Sequence, residues 1–504
     1  MEERYMEYEF FYDEAEHSRK INYKTVIAKN YYDNFVAVIV GWNTAQKDRI
    51  REKHEAFEEK YKERASHGEL KSTTIKQDQL KYGFASLNKP NIQFLNDFFS
   101  LFTDDTYIYF SVISKIEYIV RQILQNYEDN PFVNIRAMEY SMTKAILTYK
   151  PESVLKAIYE ETDSELIVKE LVKFFQERIE YDKGNYELKI MEINAFMQIV
   201  WLLKSVQQVK QIEWNYEISF EGLQLFLVEN NIDDYKLVLD KEGDCQNTLK
   251  AALRMGVQNV SEEDSKANFG IRISDMLAGV IARMMKSLSE SLRSSNTTEK
   301  PEKRLLRKEW FMVNDAQLNL YKKLYHIICE LNNAWYKSYA GVYADDLVSF
   351  VALLKYMKQV DNAKDMQNRE LEMQPEYFNA FVCQMLGDRY KTMSETLPVE
   401  VISDESEEYF FNNRGGKIYF DIKKQPVLHI EGSMRYKVLS VGYHRSGVPL
   451  VTIDMKTEIQ CYVLPDELTD WALTVIKMSN EGMKRFPAEV IFSEKNGRYV
   501  ANIL

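Results

Sequence analysis

Three short runs near the N-terminus constrain this chain more than anything else in it: "YEFFYDEA" (8–15), "FVAVIVGW" (35–42) and "TYIYFSVIS" (106–114). β-Branched and aromatic residues dominate them, which marks strands. The longest uncharged apolar runs, "FVAVIVGW" and "NAFMQIVWLL", fall short of the ~18 residues that a membrane helix needs. A charged helix is predicted from Gln46 to Arg64, and another over "NIQFLNDFFSLF", where Ile92, Leu95, Phe98, Phe99 and Phe102 keep helical spacing. "GELKSTTI" reads as a short strand-like piece. Strand character returns at "YKLVLD" (235–240), followed by a helix "CQNTLKAALRMG", an extended "VQNVSEEDSK" and a buried helix "IRISDMLAGVIARMMKSL". Strands joined by helices in this order predict an α/β layer, interrupted by a helical insertion over about residues 115–230.

The chain has 504 residues, and single cores stop growing near ~250, so several domains are expected. The first spans residues 1–288. "SESLRSSNTTEKPEKR" (289–304) is polar and holds Pro301, as a linker would. Leu320, Leu324, Ile327, Ile328, Leu331 and Trp335, then "ADDLVSFVALLKYM", predict a helical domain over 305–395. Residues 396–504 carry the short strands "KIYFDI", "PVLHIEG", "YKVLSVGY", "PLVTIDM" and "EIQCYVL", one helix and a closing hairpin around "EKNGRY", which predict a β-rich C-terminal module.

Hydrophobic residues make up 45% of the chain and charged residues 28%, the balance of a folded globular protein. Its four cysteines are scattered without a C-x-x-C pair, which points away from a zinc knuckle or disulfide framework and toward a reducing cytoplasm. The N-terminus is acidic with no apolar signal core, so no membrane association is expected. A net charge of −12 disfavours indiscriminate binding along phosphate backbones. Two basic runs could still form a local track: Lys47, Arg49, Arg51 and Lys53, and residues 286–309 with seven Lys/Arg against four Glu. Trp310, directly after the second run, is the aromatic singled out for nucleic-acid contact. The six histidines are dispersed; His17 lies near Asp13, and His429 and His444 flank the C-terminal strands without ligand spacing.

Acidic residues at strand ends are the candidate chemistry. Asp13 and Asp240 each stand where an apolar strand leaves the layer, the place where ligands collect in α/β sheets. Asp275 sits among Ile271, Ile273, Met276, Leu277 and Val280, where an unpaired carboxylate would cost several kcal/mol, so it needs either an arginine (Arg272 or Arg283) or a cation. Ala278 and Gly279 leave the helix little bulk, which would let it press against a strand and bring Asp275 to the strand-end acids. Converging carboxylates suit hard divalent ions, and two such ions ~4 Å apart support phosphodiester cleavage. No Gly-rich phosphate loop, H-E-x-x-H or G-x-S-x-G competes with this reading.

"YDEAEHSR", "HGELKS" (67–72), "YKLVLD" and above all "DSKANFGIRISDMLAG" (264–279) together resemble the bacterial domain of unknown function 3800, of the RNase H-like superfamily, over roughly residues 5–285. Asp13 and Glu14 match its D-E, Glu69 its middle acid with Lys71 beside it, and Asp240 its strand-end Asp. Asp264, Ser265 and Lys266 match its D-S-K, and Asp275 its final Asp. "DEAEHSR" stands in place of D-E-S-G and "RISD" in place of Q-x-A-D, yet each acidic position survives. The resemblance implies an RNase H-like mixed sheet holding two Mg²⁺ or Mn²⁺ ions for hydrolysis of RNA, DNA or a hybrid, in a setting of phage or mobile-element defence. It implies that Asp13 bridges both ions, that Glu69 and Asp240 each bind one, and that Asp275 completes the second. Lys71 or Lys266 would neutralise the scissile phosphate. Glu117, opening a helix after "YFSVIS", competes with Glu69 for the middle position. The alternative reading is a non-enzymatic scaffold with the same core, binding a protein or nucleic-acid partner through its large additions.

Overall fold

The computed structural model describes residues 7–16, 23–28, 31–66, 68–125, 135–160, 164–206, 217–241, 246–292, 304–338, 342–368, 370–394, 410–412, 418–419, 425–444, 448–455, 459–480, 486–495 and 498–504. His17 and most of the expected linker, 293–303, lie outside the described residues. The chain begins β1 (Tyr8–Ala15), α1 (Tyr23–Val26), β2 (Asn34–Asn43), α2 (Lys47–Lys60), β3 (Lys81–Phe84), α3 (Lys89–Phe99), β4 (Thr106–Ser114). Helices α4 (Lys115–Leu124), α5 (Ile135–Tyr149), α6 (Glu152–Glu160), α7 (Ser164–Asp182), α8 (Tyr186–Ser205) and α9 (Leu223–Glu229) then precede β5 (Tyr235–Asp240), α10 (Asn247–Arg254), β6 (Val260–Glu263) and α11 (Phe269–Leu292).

A mixed sheet organises these elements, with strand order β6-β5-β1-β2-β4-β7, where β7 is Trp335–Ser338. The β1–β2 and β2–β4 pairs are antiparallel, whereas β1–β5, β5–β6 and β4–β7 are parallel. The fold is therefore α/β, with the expected helical insertion emerging after β4. That insertion builds its own core from residues such as Ile123, Met142, Leu171, Phe175 and Ile199.

Period-two alternation gives β1 two different faces. Phe11 packs with α11, while Phe10 and Tyr12 pack on the opposite side with Phe220, Phe226 and Ala251. β2 is buried on both faces from Asn34 to Trp42, so it reads as a continuous apolar run. α11 lies hard against β1. A Cβ at Gly270 would stand 2.4 Å from the Phe11 ring, and the buried Ser274 hydroxyl donates to Phe11 O at 2.7 Å.

Residues beyond the linker do not stand apart from this layer. Helices α12 (Asp315–Tyr325), α13 (Asp345–Lys358), α14 (Ala363–Asn368) and α15 (Gln374–Ser394) contribute Leu318, Tyr321, Phe350, Leu354, Met366 and Phe378 to the same apolar core as Val38, Phe110 and Ile281. Trp310, the proposed nucleic-acid contact, is fully buried in it. Gly83 admits the Trp310 ring: its φ is +59°, and a Cβ there would lie 2.7 Å from Trp310 Cζ3. Of the basic run over 286–309, residues 293–303 lie outside the described residues; the run over 47–53 does not line up as a track. On α2, alternate residues diverge by about 200° around the helix. Lys47 pairs with Glu9 at 2.7 Å, Arg49 with Asp105 and Arg51 with Asp48.

The C-terminal module is β-rich as expected. β8 (Phe410–Asn412), β9 (Ile418–Tyr419), β10 (Ser433–His444), β11 (Pro449–Asp454), β12 (Ile459–Val463), β13 (Ala488–Lys495) and β14 (Arg498–Ile503) form an antiparallel sheet under α16 (Thr469–Asn480). Its own core includes Val438, Val451, Leu468, Ala472 and Phe492. Two expected strands fail. "PVLHIEG" keeps a single bridge, Val427 to Val463, because Pro426 has no N–H to extend a ladder. "GELKSTTI" forms a bridge from Ser66 to Glu69 and a 3₁₀ turn over Ser72–Thr74, and the Ser72 N–H is given to Asp275 on α11 rather than to a neighbouring strand. Trp310→Ala should lower the unfolding free energy by ~3–5 kcal/mol in a denaturant titration, the cost of an indole-sized hole in a core. A surface indole would cost far less.

Candidate functional site

Parallel pairing places the first two acids side by side. Tyr12 is in register with Leu239, so Asp13 and Asp240 are the next residues along two adjacent strands. Alternation turns both toward α11, the face shared by Phe11 and Val238. Glu14 falls on the opposite face, where its carboxylate meets the Tyr12 hydroxyl. The third acid arrives on α11: with Ser274 tied to Phe11 O, Asp275 is fixed beside the end of β1.

The acids are close enough for their charges to act on one another. The Asp13 carboxyl is pushed well above the usual carboxylate range, first by burial, then by the negative charges of Asp275 and Glu14, with Asp240 adding to it. The Glu14 N–H, donating to Asp13 Oδ1 at 2.7 Å, opposes this only in part. Asp240 is also raised by burial, against N–H donors from Lys241 at 3.0 Å and Ser265 at 3.2 Å and the positive charge of Lys71. Asp275 Oδ2 accepts from Ser72 N–H at 2.9 Å, and Oδ1 takes no hydrogen bond from the described residues.

Glu69 belongs to the same neighbourhood through the turn that ends in Ser72. It is buried, its Oε1 has no hydrogen-bond partner, and its Oε2 lies 3.4 Å from Lys71 Nζ. Lys71 is half-exposed and thus stands between Glu69 and Asp240 in charge. Glu117 is elsewhere. It is buried at the start of α4, accepts from Tyr343 N–H at 3.2 Å, and is raised by burial and then by Glu139. Lys266 is exposed on the turn before α11, where its N–H donates to Asp264 Oδ1 at 2.9 Å; no contact joins it to the acids.

Of the two alternatives for Asp275, an arginine or a cation, neither arginine forms an ion pair with it among the described residues. Arg272 makes a bidentate pair with Glu58 on α2 at 2.8 and 3.0 Å. Its Nη1 donates to the carbonyls of Ser265 and Lys266 at 2.7 and 3.0 Å, which fixes the D-S-K turn so that Ser265 N–H reaches Asp240. Arg283 donates to Ser72 Oγ at 3.3 Å. The small residues of α11 do allow close approach, but to two partners: Gly270 meets strand β1, and Gly279 meets Ser72. Sequence reading missed Ser72, Ser274 and Glu58. Ser274 had a signal in its position beside Asp275 and Ser72 in closing "HGELKS"; Glu58 had none.

The donor set fits a hard divalent cation in chemistry. All four candidate ligands are carboxylates, the charge on them is incompletely neutralised, and Glu69 Oε1 is a buried oxygen without a donor. Among the described residues no group of three or more His, Cys, Asp or Glu is arranged to hold a metal ion, so the acids converge in charge without forming a closed ligand shell. Nor is any described helix long and apolar enough to cross a membrane.

The raised Asp13 carboxyl predicts a pH dependence for the protein in chelator. The folded state keeps a proton that the unfolded chain releases near pH ~3.9, so stability falls as pH rises from there through the raised folded value. Asp13→Asn should flatten that part of the curve and melt higher than wild type at pH 7, measured by thermal denaturation across pH. No family model matches this chain, and no curated protein or solved structure matches it either.

Proposed function

We propose that this protein is a divalent-metal-dependent nuclease with an RNase H-like sheet, hydrolysing phosphodiester bonds of RNA or DNA. One observation carries the reading: Asp13, Asp240 and Asp275 converge from two parallel strand ends and a distant helix, with their repulsion left standing in the Asp13 carboxyl. Structural carboxylates are normally paired, and a cluster that is not marks a functional site more often than chance. Strand-end acids on a central mixed sheet are also what the resemblance of residues 5–285 implies.

Asp13, Asp240, Asp275 and Glu69 would hold Mg²⁺ or Mn²⁺. When bound, such a pair of ions supplies activation of water and stabilisation of the leaving oxygen. The chain's own residues do the rest. Asp13 and Asp240 are held at fixed separation by strand register, and Asp275 is oriented by the Ser72 N–H. Lys71, half-exposed beside the acids, is the better placed of the two lysines to meet a phosphate; Lys266 lies on the outer turn. The helical and β-rich additions would select the substrate or a protein partner, and defence against phage or mobile elements is the setting the resemblance suggests.

A second reading, a non-enzymatic scaffold, draws on the open arrangement of the acids. Both are tested with labelled single-stranded RNA, single-stranded DNA, duplex DNA and RNA–DNA hybrid in Mn²⁺ or Mg²⁺. Cleavage by wild type should fall to background in Asp13→Ala and in Asp275→Ala while both stay folded. Saturating Mn²⁺, at ~100 times its dissociation constant, should also stabilise wild type by about 2.7 kcal/mol, and neither variant to that extent. No cleavage of any substrate and no melting shift would leave the scaffold.

A further inference from the structure

Three of the four acids stand on a strand or helix, but Glu69 stands on a turn, and something must hold that turn to the sheet. The contacts fall on one face of α11, where Asp275, Gly279 and Arg283 recur at four-residue intervals. Ser72 N–H donates to Asp275 Oδ2 at 2.9 Å. At Gly279 an added Cβ would lie 2.2 Å from Ser72 Cβ and 2.6 Å from Arg283 Nη1, so both neighbours use the space that glycine leaves. Arg283 then reaches back over Gly279 to Ser72 Oγ at 3.3 Å. One turn further on, Gln77 Nε2 donates to Arg283 O at 3.1 Å and to Ser287 Oγ at 2.7 Å, and Ile75 between these anchors is fully buried.

The arginine is placed unusually for its charge. Asp275 and Glu16 both act on the guanidinium, yet no carboxylate oxygen of the described residues is within ion-pairing distance of it, and its buried Nη1 has no hydrogen-bond partner. Glu16 pairs with Lys286 instead, at 3.2 Å. Arg283 thus offsets the charge of Asp275 without covering its Oδ1.

We infer that Arg283 is a positioning residue: with Gly279 it clasps Ser72 to α11, which sets the place of Glu69 in the acidic cluster and leaves an oxygen of Asp275 open to a cation. The inference rests on the nuclease reading for its purpose, though the clasp itself does not. A planar guanidinium fits the slot above a glycine where an ammonium does not, so lysine is no substitute.

The test uses the full chain with Arg283→Met, Arg283→Lys and Gly279→Ala. Exchange of the Ser72 amide, followed by hydrogen–deuterium exchange in chelator, reads the clasp; the Mn²⁺ concentration at the midpoint of the melting shift reads the positioning. Faster Ser72 exchange and a Mn²⁺ midpoint raised ~10-fold or more, as for other residues that orient metal ligands, are expected in all three variants. If Gly279→Ala does not fold, Arg283→Met decides, because it keeps the helix and the glycine. Unchanged Ser72 exchange would overturn the clasp. Faster exchange with an unchanged Mn²⁺ midpoint would overturn the positioning role. A wild type that neither binds Mn²⁺ nor cleaves would overturn the nuclease reading, and Ser72 exchange alone would then judge the clasp.

Discussion

The close contact of α11 with β1 is the constraint on which the rest depends. At Gly270 the helix backbone rests on the Phe11 ring, and one turn later Ser274 gives its hydroxyl to the Phe11 carbonyl. A buried hydroxyl without such a partner would cost roughly 1–3 kcal/mol, so this bond fixes the axial position of the helix as well as its distance. Everything beyond follows from that phase. Asp275 comes to the end of β1, Gly279 comes under Ser72, and the apolar residues Leu277, Val280, Ile281 and Met284 turn into the core. A shift of one residue along the helix would turn Asp275 about 100° away from Asp13.

Holding like charges together works against the fold, and the neighbourhood shows how the cost is contained. Backbone N–H groups of Glu14, Lys241, Ser265 and Ser72 each donate to an acid. They belong to strand ends and turns, where the amides have no ladder partner to lose. Positive charge is kept close as well. Lys71 stands 3.4 Å from Glu69 and acts on Asp240, and Arg283 acts on Asp275 from the far side of Gly279. Arg272, one of the two arginines weighed as a partner for Asp275, is instead consumed by Glu58 and the D-S-K carbonyls. Lys71 closes its pair with Glu69, whereas Arg283 and Asp275 form none among the described residues.

The central strands were legible because their signal is local. "YEFFYDEA", "FVAVIVGW", "TYIYFSVIS" and "YKLVLD" carry β-branched and aromatic residues that have no other use at that density. Their ends located Asp13 and Asp240 without any knowledge of pairing. The order in which they pair, and hence the side-by-side placement of those two acids, is a nonlocal fact that no single stretch encodes. "WYKS" at 335–338 shows the same limit: it reads as the end of a helix with Trp335 in phase, and becomes a strand only because β4 offers it an open edge. Trp310 was misjudged for a related reason. Its basic neighbours suggested exposure, and the pocket that takes its ring is made by Gly83, more than two hundred residues earlier.

That distant packing bears on the site itself. Described residues between 306 and 382 share one core with the sheet, and α11, packed on β1 and β2, is also covered by α13 and β3. A helix pressed between a sheet and a second helical layer has little freedom to tilt, and the same holds for the strands it covers. Asp13, Asp240 and Asp275 are therefore carried on elements that cannot move independently. Glu69 is carried on a turn held by side-chain contacts to Ser72 and Gln77. Glu69 is also tied locally, by the two backbone bonds it exchanges with Ser66. The cluster thus has three acids on packed strands and a helix and one on a turn, and the place of that turn is set by contacts to α11 rather than by the sheet.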